Sequence, residues 1–225
     1  MSHLESIKAL GLDFDNCLIL DPSTRKGSEE IKDQAWFEVF PEYDPAQLKK
    51  IIKQVQKEIS GGKGDRADVI REICKAFKVP DEQIPREVEK RSEDFNRIVL
   101  DGILNVDISE DNRRALAELS KKLSICVITA TPTDKSLQSL EALKILGFIT
   151  NVYGRPQNKE ENLRMAIQDL SVLPEELLYV GDQPSDLEAA KKVGCKFVGM
   201  NTFRNTAWHD GNLPFPIIFS LLELL

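Results

Sequence analysis

Ile7-Lys8-Ala9-Leu10-Gly11-Leu12-Asp13-Phe14-Asp15-Asn16-Cys17-Leu18-Ile19 carries an apolar run that ends in two aspartates. It reads as a short buried strand that delivers carboxylates at its C-terminal end. Burying unpaired charge is costly, so such a pair needs a cation, a proton or a substrate to meet. In an open α/β sheet, the carboxyl ends of the strands are where ligands bind. What the rest of the chain brings to Asp13 and Asp15 decides the reading.

Outward from this stretch the chain has two textures. From about residue 20 to 100 it reads as helices only, with Leu48, Ile51, Ile52, Val55 and Ile59 on one face of a first helix. Val69, Ile70, Ile73, Cys74 and Phe77 mark a second, and a third is predicted from near Pro85 to Leu100. Gly61-Gly62-Lys63-Gly64-Asp65-Arg66 is a glycine-rich turn with charges between the first two.

From about residue 103, strands and helices alternate. A helix near Glu110 to Lys122 precedes the apolar strand Leu123 to Thr129, and a helix near Asp134 to Leu146 is expected to stop at Gly147. Leu163, Ala166, Ile167 and Leu170 mark another helix, Leu177 to Val180 a strand, Leu187, Ala190 and Val193 a helix, and Lys196 to Gly199 a further strand. That alternation predicts a doubly wound parallel sheet. The first strand most economically joins it, so residues 1–19 and 101–225 form the α/β core and residues 20–100 are a helical insertion.

The bulk numbers narrow the classes. The 225 residues carry a formal net charge of −7, which argues against nucleic acid or an anionic membrane as the main partner. A local pocket can still be positive, so a phosphorylated small molecule is compatible. Cys17, Cys74, Cys126 and Cys195 are scattered beside apolar runs and read as buried, reduced thiols. No stretch approaches transmembrane length and no apolar leader region opens the chain, so a soluble, cytoplasmic protein is expected. With two histidines, no GxxxxGK[ST] and no GxGxxG, neither His-based triads nor nucleotide-binding loops of those types are supported.

Four polar signals fall at the ends of predicted strands. Asp13 and Asp15 follow the first, Thr129 ends the second, Lys159 opens a helix with Arg155 just before it, and Gly181-Asp182 closes the last strong strand before Asp186. Asp13, Asp15 and Asp182 would make a hard oxygen site suited to Mg²⁺. A lysine and a hydroxyl near that metal are what a transferring phosphoryl group needs, since catalysis there is mostly positioning and charge neutralisation. One carboxylate can act as nucleophile and a second, two residues on, as general acid and base.

In these residues the chain resembles the haloacid dehalogenase (HAD) superfamily, in its C1-capped subgroup of phosphoglycolate phosphatases and β-phosphoglucomutases. Asp13-Phe14-Asp15-Asn16-Cys17-Leu18 matches the first motif and Val127-Ile128-Thr129 the second. A basic residue opening a helix is the third, and Gly181-Asp182-Gln183-Pro184-Ser185-Asp186 the fourth. The resemblance implies a Rossmann-like, HAD-type core with a C1 cap over residues 20–100, and a Mg²⁺-dependent phosphatase acting on a small phosphorylated metabolite. It implies that Asp13 attacks phosphorus and that Asp15 serves as acid and base. Mg²⁺ would be held by Asp13, the backbone carbonyl of Asp15 and Asp182, with Asp186 supporting the metal or the lysine. Thr129, Ala130 and the third-motif base would bind the phosphoryl group, and Lys63, Arg66 and Arg155 are candidate substrate contacts.

Two departures stand out. Asn16 replaces a frequent glycine and tolerates left-handed backbone, while Cys17 replaces a common threonine. Arg155-Pro156 and Lys159 compete for the third motif, and Lys159 is favoured because it sits where the helix starts. Asp186 reads equally as a helix cap. The rival readings are a sugar-phosphate phosphomutase, a receiver domain and a catalytically silent scaffold, and a dehalogenase is disfavoured by Asp15. A monomer or a homodimer is expected.

Overall fold

The structure is a computed structural model that describes residues 6–21, 23–58, 65–106, 108, 110–205, 208 and 213–225. The chain divides into two compact units, residues 1–29 with 103–225, and residues 30–102.

The first unit is built on strand β1 (Ala9–Leu12), all four residues of which are buried. The two-residue strands β2 (Leu20–Asp21) and β3 (Lys26–Gly27) follow as an antiparallel hairpin. Further strands are β4 (Ser124–Pro132), β5 (Asn151–Arg155), β6 (Leu177–Gly181), β7 (Lys196–Met200) and β8 (Ile217–Ile218). Six of them form one sheet in the order β5-β4-β1-β6-β7-β8, with every neighbouring pair parallel. The chain runs outward from β1 through β4 to β5, then returns to the far side of β1 for β6. The switch point of the topology therefore lies between β1 and β6, where such sheets bind ligands.

Fully buried strands explain the continuous apolar runs, because a parallel sheet covered on both faces has no polar side. Helices α1 (Ser28–Val39), α2 (Pro45–Glu58), α3 (Arg66–Ala76) and α4 (Ile84–Asn105) come before β4, preceded directly by α5 (Glu110–Leu119). The later helices are α6 (Thr133–Ala142), α7 (Lys159–Leu170) and α8 (Pro184–Val193). Leu163 and Ala166 of α7 and Ala189, Ala190 and Val193 of α8 join Ala9, Cys126, Ile128 and Tyr179 in one buried cluster.

The second unit is helical. Trp36 of α1 packs on Phe95 of α4 with ring centroids 4.6 Å apart, and Tyr43 stacks on Phe77 at 3.7 Å. Arg91 of α4 lies over the Phe40 ring, donates to the Val39 carbonyl and pairs with Glu42 and Glu87.

Three expectations need correction. The stretch from residue 20 is not helical throughout, since the β2–β3 hairpin precedes α1. The helix expected to stop at Gly147 ends at Ala142; Lys144 makes the left-handed turn at φ +57°, and Gly147 sits in a following 3₁₀ turn. Strand β5 has no counterpart among the strands expected from the sequence. Its residues Asn151-Val152-Tyr153-Gly154-Arg155 mix polar and apolar types because it forms the edge of the sheet.

Candidate active site

The sheet register assembles the site. Leu12 pairs with Val127 on one side and with Val180 on the other. The residues just beyond, Asp13, Ile128-Thr129 and Gly181-Asp182, therefore emerge side by side at the same edge. The amide of Asp13 donates to the Val180 carbonyl at 2.8 Å, which carries the pairing one residue past β1. Asn16 then turns the chain at φ +53°, the left-handed conformation its residue type tolerates.

Three buried carboxylates meet here. Asp13, Asp182 and Asp186 each offer an oxygen, all within 4.8 Å of one another. Lys159 lies between two of them, its Nζ 3.0 Å from Asp13 Oδ1 and 2.5 Å from Asp186 Oδ1. Apart from this ionic contact with Lys159, Asp13 Oδ1 is buried without a hydrogen-bond partner. Asp186 is held at both oxygens. Oδ1 also accepts from the Tyr179 hydroxyl at 2.8 Å, and Oδ2 accepts from the Gln183 amide at 3.0 Å. The cap role and the charge-pairing role read for Asp186 are thus performed together. Asp182 accepts from Gln183 Nε2 at 2.8 Å, and its carbonyl accepts from the buried Asn205 amide.

The charges explain the titration of the cluster. Burial pushes the Asp13 carboxyl well above its usual range; Lys159 opposes this, while Asp186, Asp182 and Asp15 add to it. Asp182 is pushed up to about 7 by burial and then by Asp186. Burial alone would lower the Lys159 ammonium, but Asp13 and Asp186 outweigh it and hold it charged. Three carboxylates at −1 and one ammonium at +1 leave −2 when all are ionised. A divalent cation balances that charge, and carboxylate oxygens are the hard donors Mg²⁺ takes. With the orphaned Asp13 oxygen, the donor set fits such an ion.

Lys159 reaches this place because it is the first residue of α7. Asn158 Oδ1 accepts from the Glu161 amide and Glu161 Oε2 from the Asn158 amide, both at 3.0 Å, a reciprocal cap that starts the helix one residue before the lysine. Arg155 goes elsewhere: its Nε donates to the Ala130 carbonyl at 2.9 Å, tying the end of β5 to β4. Between these two candidates, Lys159 is the base that meets Asp13.

Asp15 sits beside the cluster with both oxygens accepting hydroxyls, from Ser28 at 2.6 Å and from Thr131 at 2.9 Å. Thr129 is buried at the same strand end, where its Oγ1 accepts from the Thr131 amide at 3.0 Å. Arg66 belongs to the other unit; it opens α3, hydrogen-bonds Asn96 and lies 4.2 Å over the Phe95 ring. Lys63 lies outside the described residues. Sequence reasoning missed Ser28, Thr131, Tyr179 and Asn205, whose hydroxyls and amide hold the carboxylates and their loop. Only Tyr179 had a signal, as a phenol inside an apolar strand.

The profile of the haloacid dehalogenase-like hydrolases matches residues 12–200, more than half of the chain, including Asp13, Asp15, Thr129, Lys159, Asp182 and Asp186. The chain belongs to that family. As a haloacid dehalogenase-like hydrolase, it is 27% identical to a phosphoglycolate phosphatase of Salmonella typhimurium, over 89% of this chain and 83% of that one. Its fold is similar to a β-phosphoglucomutase of Clostridium difficile, with TM-score 0.65, 17% identity, and 97% and 93% of the two chains covered. A 2-haloacid dehalogenase of Pseudomonas syringae superposes at TM-score 0.66 with 21% identity, covering 97% and 96%. No helix among the described residues is long and apolar enough to cross a membrane.

Proposed function

We propose that this hydrolase is a Mg²⁺-dependent phosphatase that hydrolyses a small phosphomonoester through an aspartyl phosphate on Asp13. The observation that carries the reading is Asp13 itself: a buried carboxylate with an oxygen lacking a hydrogen bond, beside Lys159 and within reach of Asp182. The similarity to phosphoglycolate phosphatases along most of both chains supports it.

Asp13, Asp182 and the backbone carbonyl of Asp15 would hold Mg²⁺, with Asp186 either joining them or serving Lys159. When bound, the ion neutralises phosphoryl oxygens and the Asp13 carboxylate together. In the first step an Asp13 oxygen forms a bond to phosphorus, the bond from phosphorus to the ester oxygen breaks with its electron pair on that oxygen, and protonated Asp15 gives it a proton. In the second, Asp15 takes a proton from water as the water oxygen bonds to phosphorus, and the Asp13–phosphorus bond breaks to regenerate the carboxylate. Lys159 favours the ionised form of Asp13 against the effect of burial and meets the phosphoryl oxygens with Thr129 and the Ala130 segment. Arg155 is assigned to the rest of the substrate, and Lys63 and Arg66, within the C1-type cap proposed for residues 20–100, are assigned to substrate recognition. Four free cysteines support a reducing, cytoplasmic setting for a monomer or homodimer.

The test is phosphate release from a panel of phosphometabolites and p-nitrophenyl phosphate, with Mg²⁺ and with EDTA, for the wild type, Asp13→Asn and Asp15→Asn. Mg²⁺-dependent release that both variants lose is expected. Absence of release from every compound, or isomerisation of a sugar phosphate without release, would overturn the reading.

A further inference from the structure

The carboxylate assigned as acid and base is gripped from two sides by hydroxyls with no assigned role. Asp15 Oδ1 accepts from Ser28 Oγ at 2.6 Å and Oδ2 from Thr131 Oγ1 at 2.9 Å. The two donors come from different elements, Ser28 from the first residue of α1 and Thr131 from the end of β4. We propose that Ser28 and Thr131 are positioning residues that form a two-point cradle for Asp15, fixing the plane of its carboxyl group toward the ester oxygen of the substrate. The proposal rests on the phosphatase reading and extends it to how this chain aims its proton.

The cradle is itself held in place. Ser28 is buried, its Oγ is 3.4 Å from the Asn16 amide that donates to it, and Asn16 Oδ1 accepts from the Glu29 amide at 2.9 Å. The turn that follows Asp15 and the start of α1 are thereby locked together. On the other side, the Thr131 amide donates to Thr129 Oγ1 at 3.0 Å. Gly154 of β5 lets this part of β4 come close, because a Cβ there would lie 2.3 Å from the Thr131 carbonyl oxygen. Neither hydroxyl is therefore an incidental surface contact.

The geometry suits proton transfer. Each carboxyl oxygen has two lone pairs. The two hydroxyl bonds, one on each oxygen, oppose rotation of the carboxyl group about the side chain, and fixed orientation is where much of catalytic advantage lies. A free carboxylate two residues past the nucleophile would have to find the ester oxygen in each turnover. A cradled one is already turned.

The prediction is a dependence on the leaving group. An alkyl phosphate needs its departing oxygen protonated; p-nitrophenyl phosphate, which leaves as a stabilised phenolate, needs it far less. Ser28→Ala, Thr131→Val and the double variant would be assayed with Mg²⁺ on 2-phosphoglycolate, and on p-nitrophenyl phosphate by the first-turnover burst of p-nitrophenolate. General acid catalysis contributes about 10²–10⁴-fold. The double variant should thus lose about 10²-fold in kcat on 2-phosphoglycolate with KM within about threefold, while the aryl burst falls at least about tenfold less. Thr131→Ser should restore the single Thr131→Val loss. Equal losses on both substrates, or no loss, would overturn the proposal. A crystal structure of the double variant tests the cradle without relying on turnover: Asp15 should leave its pose, and Asp15 keeping that pose without either hydroxyl refutes the cradle. If the wild type hydrolyses another alkyl phosphate of the panel, that compound takes the place of 2-phosphoglycolate; wild-type protein that releases phosphate from no compound refutes the phosphatase reading instead.

Discussion

Replacing Lys159 by Met tests the electrostatic reasoning at its centre, without any substrate. Its ammonium is the cation that touches both Asp13, at 3.0 Å, and Asp186, at 2.5 Å. Asp186 would keep the Tyr179 hydroxyl and the Gln183 amide, but Asp13 Oδ1 has no hydrogen bond to fall back on. Removing one partner of a buried pair costs about 3–5 kcal/mol because the other charge is left uncompensated. At about 2–4 °C per kcal/mol for a chain of this size, the metal-free protein should melt about 6–20 °C lower.

The loss must also depend on pH. Asp13 and Asp182 both titrate above their ordinary range, burial being the main cause and Lys159 pulling each back down. The metal-free fold therefore binds protons more tightly than the unfolded chain does. The stability these groups contribute is fully present below the unfolded carboxylate value of about 4. It is lost as pH rises through the folded values, about 7 for Asp182. Without Lys159 those values climb further, so the penalty should be large near pH ~8 and small near pH ~5, where a proton replaces the ammonium. Thermal unfolding in EDTA at both pH values measures this. The double variant Asp13→Asn/Lys159→Met should melt above Lys159→Met alone. Equal melting of wild type and Lys159→Met, a larger loss on the acid side, or no recovery in the double variant would each refute the argument.

Mg²⁺ at about 100 times its dissociation constant should stabilise the wild type by about 2.7 kcal/mol; Asp182→Asn should lose most of that in thermal shift, and an undiminished shift would count against Asp182 as a ligand. Cys126 and Cys195 are pushed up to about 12 by burial. Only about 1 in 10⁴ of such thiols is ionised at pH 8, so iodoacetamide should label them slowly until denaturant is added. Gly181→Ala would place a Cβ 2.5 Å from Asp186 Cβ and 2.6 Å from its Cγ. Overpacking of that kind costs about 1–3 kcal/mol, and since it displaces a cluster carboxylate, the Mg²⁺-induced thermal shift should shrink as well.

The order of strands was legible because parallel strands with both faces covered have to be apolar throughout, as β1 and β6 are. The same rule hid β5. An edge strand has fewer neighbours to satisfy, and Gly154, needed for the close approach of β4, breaks the β-branched pattern that would have marked it. The β2–β3 hairpin has two residues per strand, too few for any period to show. Arg155 and Lys159 could not be separated by charge. The reciprocal cap of Asn158 and Glu161 separates them, since a helix start fixes where its first side chain lies.

A deeper asymmetry runs through the site. Asp13, Asp182 and Lys159 drew attention because a buried charge has few structural uses, and its presence at a strand end demands a partner. Ser28, Thr131 and Tyr179 drew little or none, because a buried hydroxyl satisfies a backbone group or ends a strand just as readily as it orients a carboxylate. Nothing in their spacing separates those uses. The hydroxyls acquire meaning only once the sheet register has set Asp15 and Asp186 beside them. What the chain does with its charges can be read one residue at a time. How firmly it aims them depends on contacts between residues 13 and 116 positions apart, which only the fold brings together.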